Sequence, residues 1–244
     1  MKNLAKLILQ KLLGYHNYLF IFALYVIYTL KYQKRERDFL YFLQLLPKNK
    51  SVLDIGANIG VMTCHLSKHI PDSQVFAFEP QSDNLLILKK IIRFFKLQNV
   101  SVLDFALGES NEKIKMVLPV EGKIKLHGLS HVCHESIADF NCGLHYEADM
   151  KRLDDVQEIQ NEPIGGIKLD VENFEFFVLK GGENILRKNK PIVYTELWEN
   201  QNRINCIDFM LALGYECKQF CKGKLVDYDK CPSVSQNFFF IPIE

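Results

Sequence analysis

Two acids and two glycines in the N-terminal third of the chain have the spacing of a nucleoside site. Asp54, Gly56 and Gly60 fall in S-V-L-D-I-G-A-N-I-G (residues 51–60), with Asn58 between the glycines, and Glu79 closes the next apolar run, Q-V-F-A-F-E. A short strand ending in a Gly-rich turn, a helix, and a second strand ending in an acid is how an open α/β sheet holds a ribose. Glu79 comes 23 residues after Gly56, where a carboxylate can accept hydrogen bonds from both ribose hydroxyls. Side chains at Gly56 and Gly60 would block the approach of backbone to ligand. Dinucleotide sites use G-x-G-x-x-G so that a pyrophosphate rests on the helix N-terminus. Here the pattern is D-x-G-x-x-x-G, and Asp54 suits a cation and repels a phosphate. S-adenosylmethionine, with a ribose, an ammonium, a sulfonium and no phosphate, meets those demands. The plainer alternative is an ordinary β-α turn with a structural glycine.

A second group of acids lies in I-K-L-D-V-E-N-F-E (167–175). Asp170 and Glu172 are expected at the end of a strand, where an open α/β sheet opens its ligand crevice. Transfer of a methyl group to a hydroxyl is helped by a base that takes the proton as the new bond forms. A carboxylate near pKa 4 is a weak base for an alcohol, and burial beside other acids raises it. Asp170, Glu172, Glu175 and Glu196 are candidates to converge there, the alternative for Glu172 and Glu175 being a cap on the following helix. In H-G-L-S-H-V-C-H (127–134), His131 or His134 is a further candidate base, against the alternative of surface loop histidines. No His/Cys spacing in this stretch matches a zinc pattern, and no metal is expected. Asp104 and Phe105 end the third strand, placing them by topology near an adenine, and Trp198 is available to stack on a sugar or to fill the core.

These residues need a sheet to hold them in line. Apolar runs at Ser51–Ile55, Gln74–Phe78, Val100–Ala106, Ile164–Val171 and Ile192–Leu197 alternate with helical patterns at Val61–His69, Leu85–Phe95, Glu175–Lys180 and Asn184–Arg187, as expected for a parallel sheet covered on both faces. Strands at Tyr215–Phe220 and Asn237–Pro242 read as a terminal antiparallel pair. Lys113–Val120 alternates like an exposed hairpin strand, and Glu121–Asp149 reads as loop.

The ordered set V-L-D-I-G-A-N-I-G (52–60), F-A-F-E-P (76–80), A-L-G-E (106–109), R-L-D-D-V (152–156), I-K-L-D-V-E-N-F-E (167–175), G-G-E-N-I-L (181–186) and P-I-V-Y-T-E-L (191–197) resembles the FkbM-type methyltransferase family over about residues 37–242. The resemblance implies a class I methyltransferase fold, Rossmann-like, with a seven-stranded, mostly parallel sheet, helices on both faces and the last strand antiparallel. It also implies S-adenosylmethionine as cofactor and O-methylation of a sugar, glycan, glycolipid or related metabolite. Asn173 departs from the glycine usual in that family's D-V-E-G-x-E, and Asn tolerates the left-handed backbone that glycine would supply. On this reading Asp54, Gly56, Asn58, Gly60, Glu79, Asp104 and Phe105 bind cofactor, and Asp170, Glu172 and His131 face the acceptor. A nicotinamide-dependent oxidoreductase is the rival enzyme class, disfavoured by the glycine spacing and Asp54. A non-catalytic relative would keep the sheet and lose the crevice acids, which are present.

The bulk properties bound the partners. Among 244 residues, 30 basic and 29 acidic side chains nearly cancel, so a nucleic-acid partner is not expected, and a small molecule, a glycan or a lipid-linked acceptor fits better. Seven irregularly spaced cysteines argue against a disulfide framework and for a reducing, cytoplasmic setting. The chain divides into residues 1–36 and a methyltransferase domain of residues 37–244. Leu4, Leu7 and Ile8, set among Lys2, Lys6 and Lys11, form a basic amphipathic pattern, followed by an uncharged run from Tyr18 to Leu30. Thirteen residues are too few to span a bilayer, which takes about 20. Two readings of residues 1–32 stand side by side, attachment to a membrane surface and a helix packed on the domain.

Overall fold

The computed structural model describes residues 9–122, 124–134, 137, 142–230 and 235–243. The amphipathic pattern at Leu4–Ile8 and the seventh cysteine, Cys231, lie outside these. Helices α1 (Tyr15–Thr29) and α2 (Arg37–Leu45) precede β1 (Ser51–Ile55), α3 (Val61–His69), β2 (Val75–Phe78), α4 (Ser82–Phe95) and β3 (Val100–Leu103). A β-rich insertion follows with β4 (Ala106–Gly108), β5 (Glu112–Glu121), β6 (Ile124–Lys125), β7 (His131–Val132) and β8 (Gly143–Arg152). The chain then runs through β9 (Ile164–Leu169), α5 (Glu175–Gly181), α6 (Glu183–Asn189), β10 (Ile192–Glu196), α7 (Gln201–Ala212), β11 (Tyr215–Cys221), β12 (Lys224–Asp227) and β13 (Asn237–Pro242).

The main sheet has eight strands in the order β3-β2-β1-β9-β10-β13-β11-β12. Its first five strands are parallel to one another, and β13 runs antiparallel between β10 and β11. The eighth strand, β12, is an addition to the expected seven. Lys222 and Gly223, both at positive φ, make a two-residue hairpin that folds β12 back on β11, as paired left-handed residues do.

Register decides where chemistry can happen. Ile55 lies opposite Phe78 and Leu169, and Leu169 lies opposite Thr195. The next residue of each strand, Gly56, Glu79, Asp170 and Glu196, therefore stands along one edge of the sheet. Both faces are covered, as the apolar strands require. Phe39, Phe42 and Leu46 of α2 and its C-terminus pack with Val52, Tyr194 and Phe239. Leu19, Ala23 and Ile27 of α1 pack with Ile59, Cys64, Ile87 and Ile91 on α3, α4 and the glycine turn.

The stretch expected as loop needs correction. Residues 143–149 belong to β8, which forms a long antiparallel ladder with β5 from Glu112↔Met150 to Pro119↔Gly143. Together β4-β8-β5-β6, with β7 on β5, make a second sheet. Most of β8 is polar or exposed on both faces, so its backbone ladder, and not an apolar period, holds it. Among the described residues no helix is long and apolar enough to cross a membrane.

Candidate functional site

Two cavities open on the sheet edge, and Asp170 lines both. The first, of about 610 Å³, is walled by Gly56, Asn58, Glu79, Asn84 and Phe105 on the sheet side and roofed by Met116, His127, Gly128, Ser130 and Val132 of the insertion. The roof is tied down where Asn84 Nδ2 donates to the His127 carbonyl (3.3 Å) and Lys125 pairs with Asp83 (3.0 Å). The second cavity, of about 1360 Å³, lies between the segment after α1 and the far side of the sheet, lined by Lys34, Arg35, Asp38, Lys168, Tyr194, Glu196 and Asn237 among others.

Glu79 is fixed in the first cavity. Its Oε2 accepts from the Asn58 N–H (2.7 Å) and its Oε1 from the Gln81 N–H (2.9 Å), with a long contact to Asn84 Nδ2 at 3.4 Å. A carboxylate has about four lone-pair sites, so Oε2 keeps one for a ligand hydroxyl, and Oε1 gains one if the long Asn84 contact gives way. Burial pushes the Glu79 pKa up to about 7 against the pull of these bonds. Asn58 Oδ1 and Asn84 Oδ1, both at the cavity, are buried without a hydrogen-bond partner among the described residues. Buried polar atoms left unpaired are costly, and a bound nucleoside carries donors for them. Phe105 lines the same cavity, edge-on to Phe78 at 5.8 Å, and supplies an apolar wall for a base. The residues present fit an adenosyl group.

The glycines serve the protein's own packing first. A Cβ at Gly56 would stand 1.8 Å from the Asp170 carbonyl oxygen, and one at Gly60 2.8 Å from Leu88 Cδ1. Both have positive φ. Gly56 thus lets the turn press against the acidic turn after β9, while Gly60 seats the turn on α4 and does not line the cavity.

Asp54 needs a similar correction. It is fully buried and does not line the cavity. Its Oδ2 accepts from Thr63 Oγ1 (2.6 Å), and its Oδ1 lies 3.5 Å from the ammonium of Lys168. Lys168 stands opposite Asp54 in the β1–β9 register, donates to the Gly56 carbonyl (2.7 Å) and pairs with Asp170 at 3.6 Å. Burial works against its charge, but Asp170 and Asp54 outweigh it and hold its pKa above the ordinary value. Asp54 therefore anchors a lysine under the turn and is not an open acid awaiting a cation. Sequence reasoning passed over Lys168, although a lysine between Ile167 and Leu169 in a buried strand must find acids.

The acidic turn is strained and crowded. Glu172 and Asn173 both have positive φ, 55° and 75°, a conformation non-glycine residues hold only where the surroundings enforce it. Glu175 supplies part of that enforcement, its Oε1 accepting from the N–H of Val171 (2.9 Å) and of Asn173 (3.3 Å). Burial raises the Glu175 pKa to about 8. Burial, then Asp170, Glu175 and Glu196 nearby, hold Glu172 well above the usual carboxylate range, and burial also raises Glu196. Glu172 lines the first cavity and Glu196 the second.

Four candidate residues fall away from the site. His131 is buried with its Nδ1 on the Leu129 carbonyl (2.8 Å), and it lines neither cavity. Along an extended strand successive side chains alternate sides, so Ser130 and Val132 face the cavity and His131 does not. His134 packs its ring against Phe174 and Phe177 at 5.7 and 4.7 Å. Asp104 is exposed where the chain leaves the main sheet and, like Trp198, lines neither cavity. The histidine that does reach the first cavity is His127, whose ring meets Phe22 of α1 edge-on at 6.2 Å.

A parallel sheet extended by one antiparallel strand, with a ribose-type acid after β2 and an acidic turn after β9, defines a class I S-adenosylmethionine-dependent methyltransferase. A family model described as the methyltransferase FkbM domain matches residues 54–217, and the chain belongs to that family. Methyltransferase sdnD of Sordaria araneosa is 26% identical over 191 residues, covering 69% of this chain and 74% of that protein. Methyltransferase 1 of Beauveria bassiana is 24% identical over 156 residues, covering 59% of this chain and 63% of that protein. A solved methyltransferase FkbM from Methylobacillus flagellatus shares the fold with a TM-score of 0.54 at 16% identity. The match takes in 79% of this chain, which spans less than half (44%) of that structure.

Proposed function

We propose that this chain transfers a methyl group from S-adenosylmethionine to a hydroxyl of a sugar-bearing acceptor, with the donor in the first cavity and the acceptor in the second. The observation that carries this reading is that Asp170 lines both cavities, where a donor and a hydroxyl would meet. Glu79 would hold the ribose, Phe105 would flank the base, and the backbone of Gly56 with Asn58 would line the methionine end. When bound, the cofactor supplies an electrophilic methyl on a cationic sulfur.

The remaining work falls to the protein. Asp170, its side chain 40% exposed, is placed to accept the hydroxyl proton as the oxygen attacks. Lys168, fixed from below by Asp54 and the Gly56 carbonyl, holds that carboxylate at the junction. The raised pKa values of Glu172 and Glu175 keep both neutral near pH 7, so the crowded turn does not accumulate three adjacent charges. The second cavity offers carboxylates at Asp38 and Glu196, amides at Gln236 and Asn237, and rings at Tyr194 and Phe220. Such a lining suits the hydroxyls and apolar ring faces of a sugar, and the nearly neutral chain does not suit a nucleic acid.

The test is incubation with methyl-labelled S-adenosylmethionine and panels of glycosides, glycolipids and non-sugar alcohols, alongside calorimetry with S-adenosylmethionine and NAD. Label on a glycosidic hydroxyl, lost in Asp170→Asn, is expected. Binding of NAD in preference to S-adenosylmethionine would overturn the reading, and label on non-sugar alcohols alone would overturn the acceptor class.

A further inference from the structure

Helix α1 is apolar on every side, although only one side is covered. Leu19, Ala23 and Ile27 face α3 and α4. Ile21, Tyr25, Tyr28 and Tyr32, spaced i, i+4, i+7 and i+11, stand on the outside, 50%, 63%, 60% and 75% exposed. The patch continues onto α4, where Phe94 is 53% exposed and touches Phe20 edge-on at 5.7 Å. A contiguous apolar face of this kind on a folded domain marks a docking surface.

The charges around the patch point to the occupant. Residues 9–35 contain no Asp or Glu and include Lys11, Lys31, Lys34 and Arg35, in a chain whose charges as a whole nearly cancel. The Lys31 ammonium sits over the Tyr32 ring at 4.9 Å, bringing a cation to the edge of the aromatic row. Lys89 and Arg93 are exposed on α4, the helix that carries Phe94. The acid of that helix, Asp83, is already held by His16 (2.7 Å) and Lys125 (3.0 Å). Tyrosines and a phenylalanine rimmed by cations match the headgroup layer of a membrane, where amphipathic rings settle and Lys and Arg meet anionic lipids. At about 22 Å for 15 residues, α1 is too short for a hydrocarbon core of about 30 Å, and its packing on α3 and α4 keeps it parallel to the body it covers.

We infer that the outer face of α1, with Phe94, Lys89 and Arg93 of α4, docks this protein on an anionic lipid surface. The segment after α1 brings Lys34 and Arg35 directly to the second cavity, so docking sets that cavity beside the headgroups. On the reading of this cavity as the acceptor site, the acceptor is a sugar carried on a lipid.

Full-length protein is tested by co-sedimentation with vesicles of phosphatidylcholine alone and of phosphatidylcholine with phosphatidylglycerol, with molecular mass followed in parallel. Binding to the anionic vesicles is expected, falling roughly tenfold or more in Tyr25→Glu/Tyr28→Glu, while Lys31→Glu/Arg93→Glu removes the preference for anionic lipid. All of these side chains are exposed, so S-adenosylmethionine affinity in solution should be unchanged and reports that the fold is intact. Wild-type protein that ignores both vesicles, or aromatic variants that bind as well as wild type, would overturn the inference. So would a dimer that the Tyr25/Tyr28 variant dissociates without any vesicle binding, which would assign the face to a second copy of the chain. Failure of methyl transfer with intact vesicle binding would instead bear on the acceptor site, leaving the docking face in place.

Discussion

The two cavities meet at Asp170 but are built in different ways. On the donor side, Glu79 is pinned by the backbone of residues 58 and 81, and the roof is fastened to α4 by Asn84 and Asp83. On the acceptor side, Asp38 and Glu196 line the cavity with the half-exposed Asp170, which pairs with the buried Lys168. A ligand that never changes is matched by atoms fixed through main-chain bonds. A ligand met by side chains can change as those side chains are exchanged, without refolding the turn.

Four experiments would break or sharpen that contrast. The largest effect is expected at Lys168, which serves both sides. Lys168→Met would leave Asp54 buried with Thr63 as its remaining partner, and removing one member of a buried pair costs about 3–5 kcal/mol. Chemical denaturation showing less than about 1 kcal/mol would mean the pair does not hold the turn. Next comes pH. Glu79 and Glu175 keep their protons in the folded chain to about pH 7 and 8, whereas the unfolded chain releases them near 4.5. Their contribution to stability is therefore full below pH 4.5 and is lost as pH rises through 7 and 8. For Glu79 alone this is on the order of 3 kcal/mol, seen as a fall in Tm that Glu79→Gln should flatten. A Tm that climbs steadily from pH 5 to 8 would contradict it.

The donor side then predicts a specific loss. Glu79→Ala should weaken S-adenosylmethionine binding by about 1.5–3 kcal/mol. In the wild type, affinity should rise as pH increases through 7, because the ionised carboxylate is the stronger acceptor for a ligand hydroxyl. Calorimetry giving a pH-independent constant, unchanged in the variant, would place the ribose elsewhere. The acceptor side predicts the converse at Asp170→Asn. Turnover should fall tenfold to a hundredfold, about 1.4–2.7 kcal/mol on the barrier, with cofactor affinity nearly intact. Equal loss in both quantities would move Asp170 to the donor side.

The contrast also explains what the sequence made legible. Apolar strands, glycine turns and the acids that follow them are local signals, and register then carried Gly56, Glu79, Asp170 and Glu196 to one edge. What failed depended on direction or on a partner distant in sequence. His131 has chemically suitable atoms, but strand alternation turns it away from the cavity. Asp54 is acidic, but Lys168, more than a hundred residues away, neutralises it. β8 lacked an apolar period because its stability comes from the ladder to β5, and backbone bonds leave no mark on the hydropathy pattern.

Asn173 ties the acidic turn to residues outside it. Its side-chain oxygen accepts from Asn200 Nδ2 and its carbonyl from Asn202 Nδ2, both at 2.8 Å, while Asn200 Oδ1 caps α7 through the Asn202 N–H at 2.9 Å. Three asparagines thus join the left-handed turn to the first turn of a helix on another part of the sheet. A joint of this kind opens as a unit. Fraying of the α7 start and loosening of the turn become one local unfolding event, with a free energy below that of global unfolding. Amide protons at Val171, Asn173 and Asn202 should then exchange at a common rate, and the chain would lose its aim at the acceptor hydroxyl while the sheet is still folded.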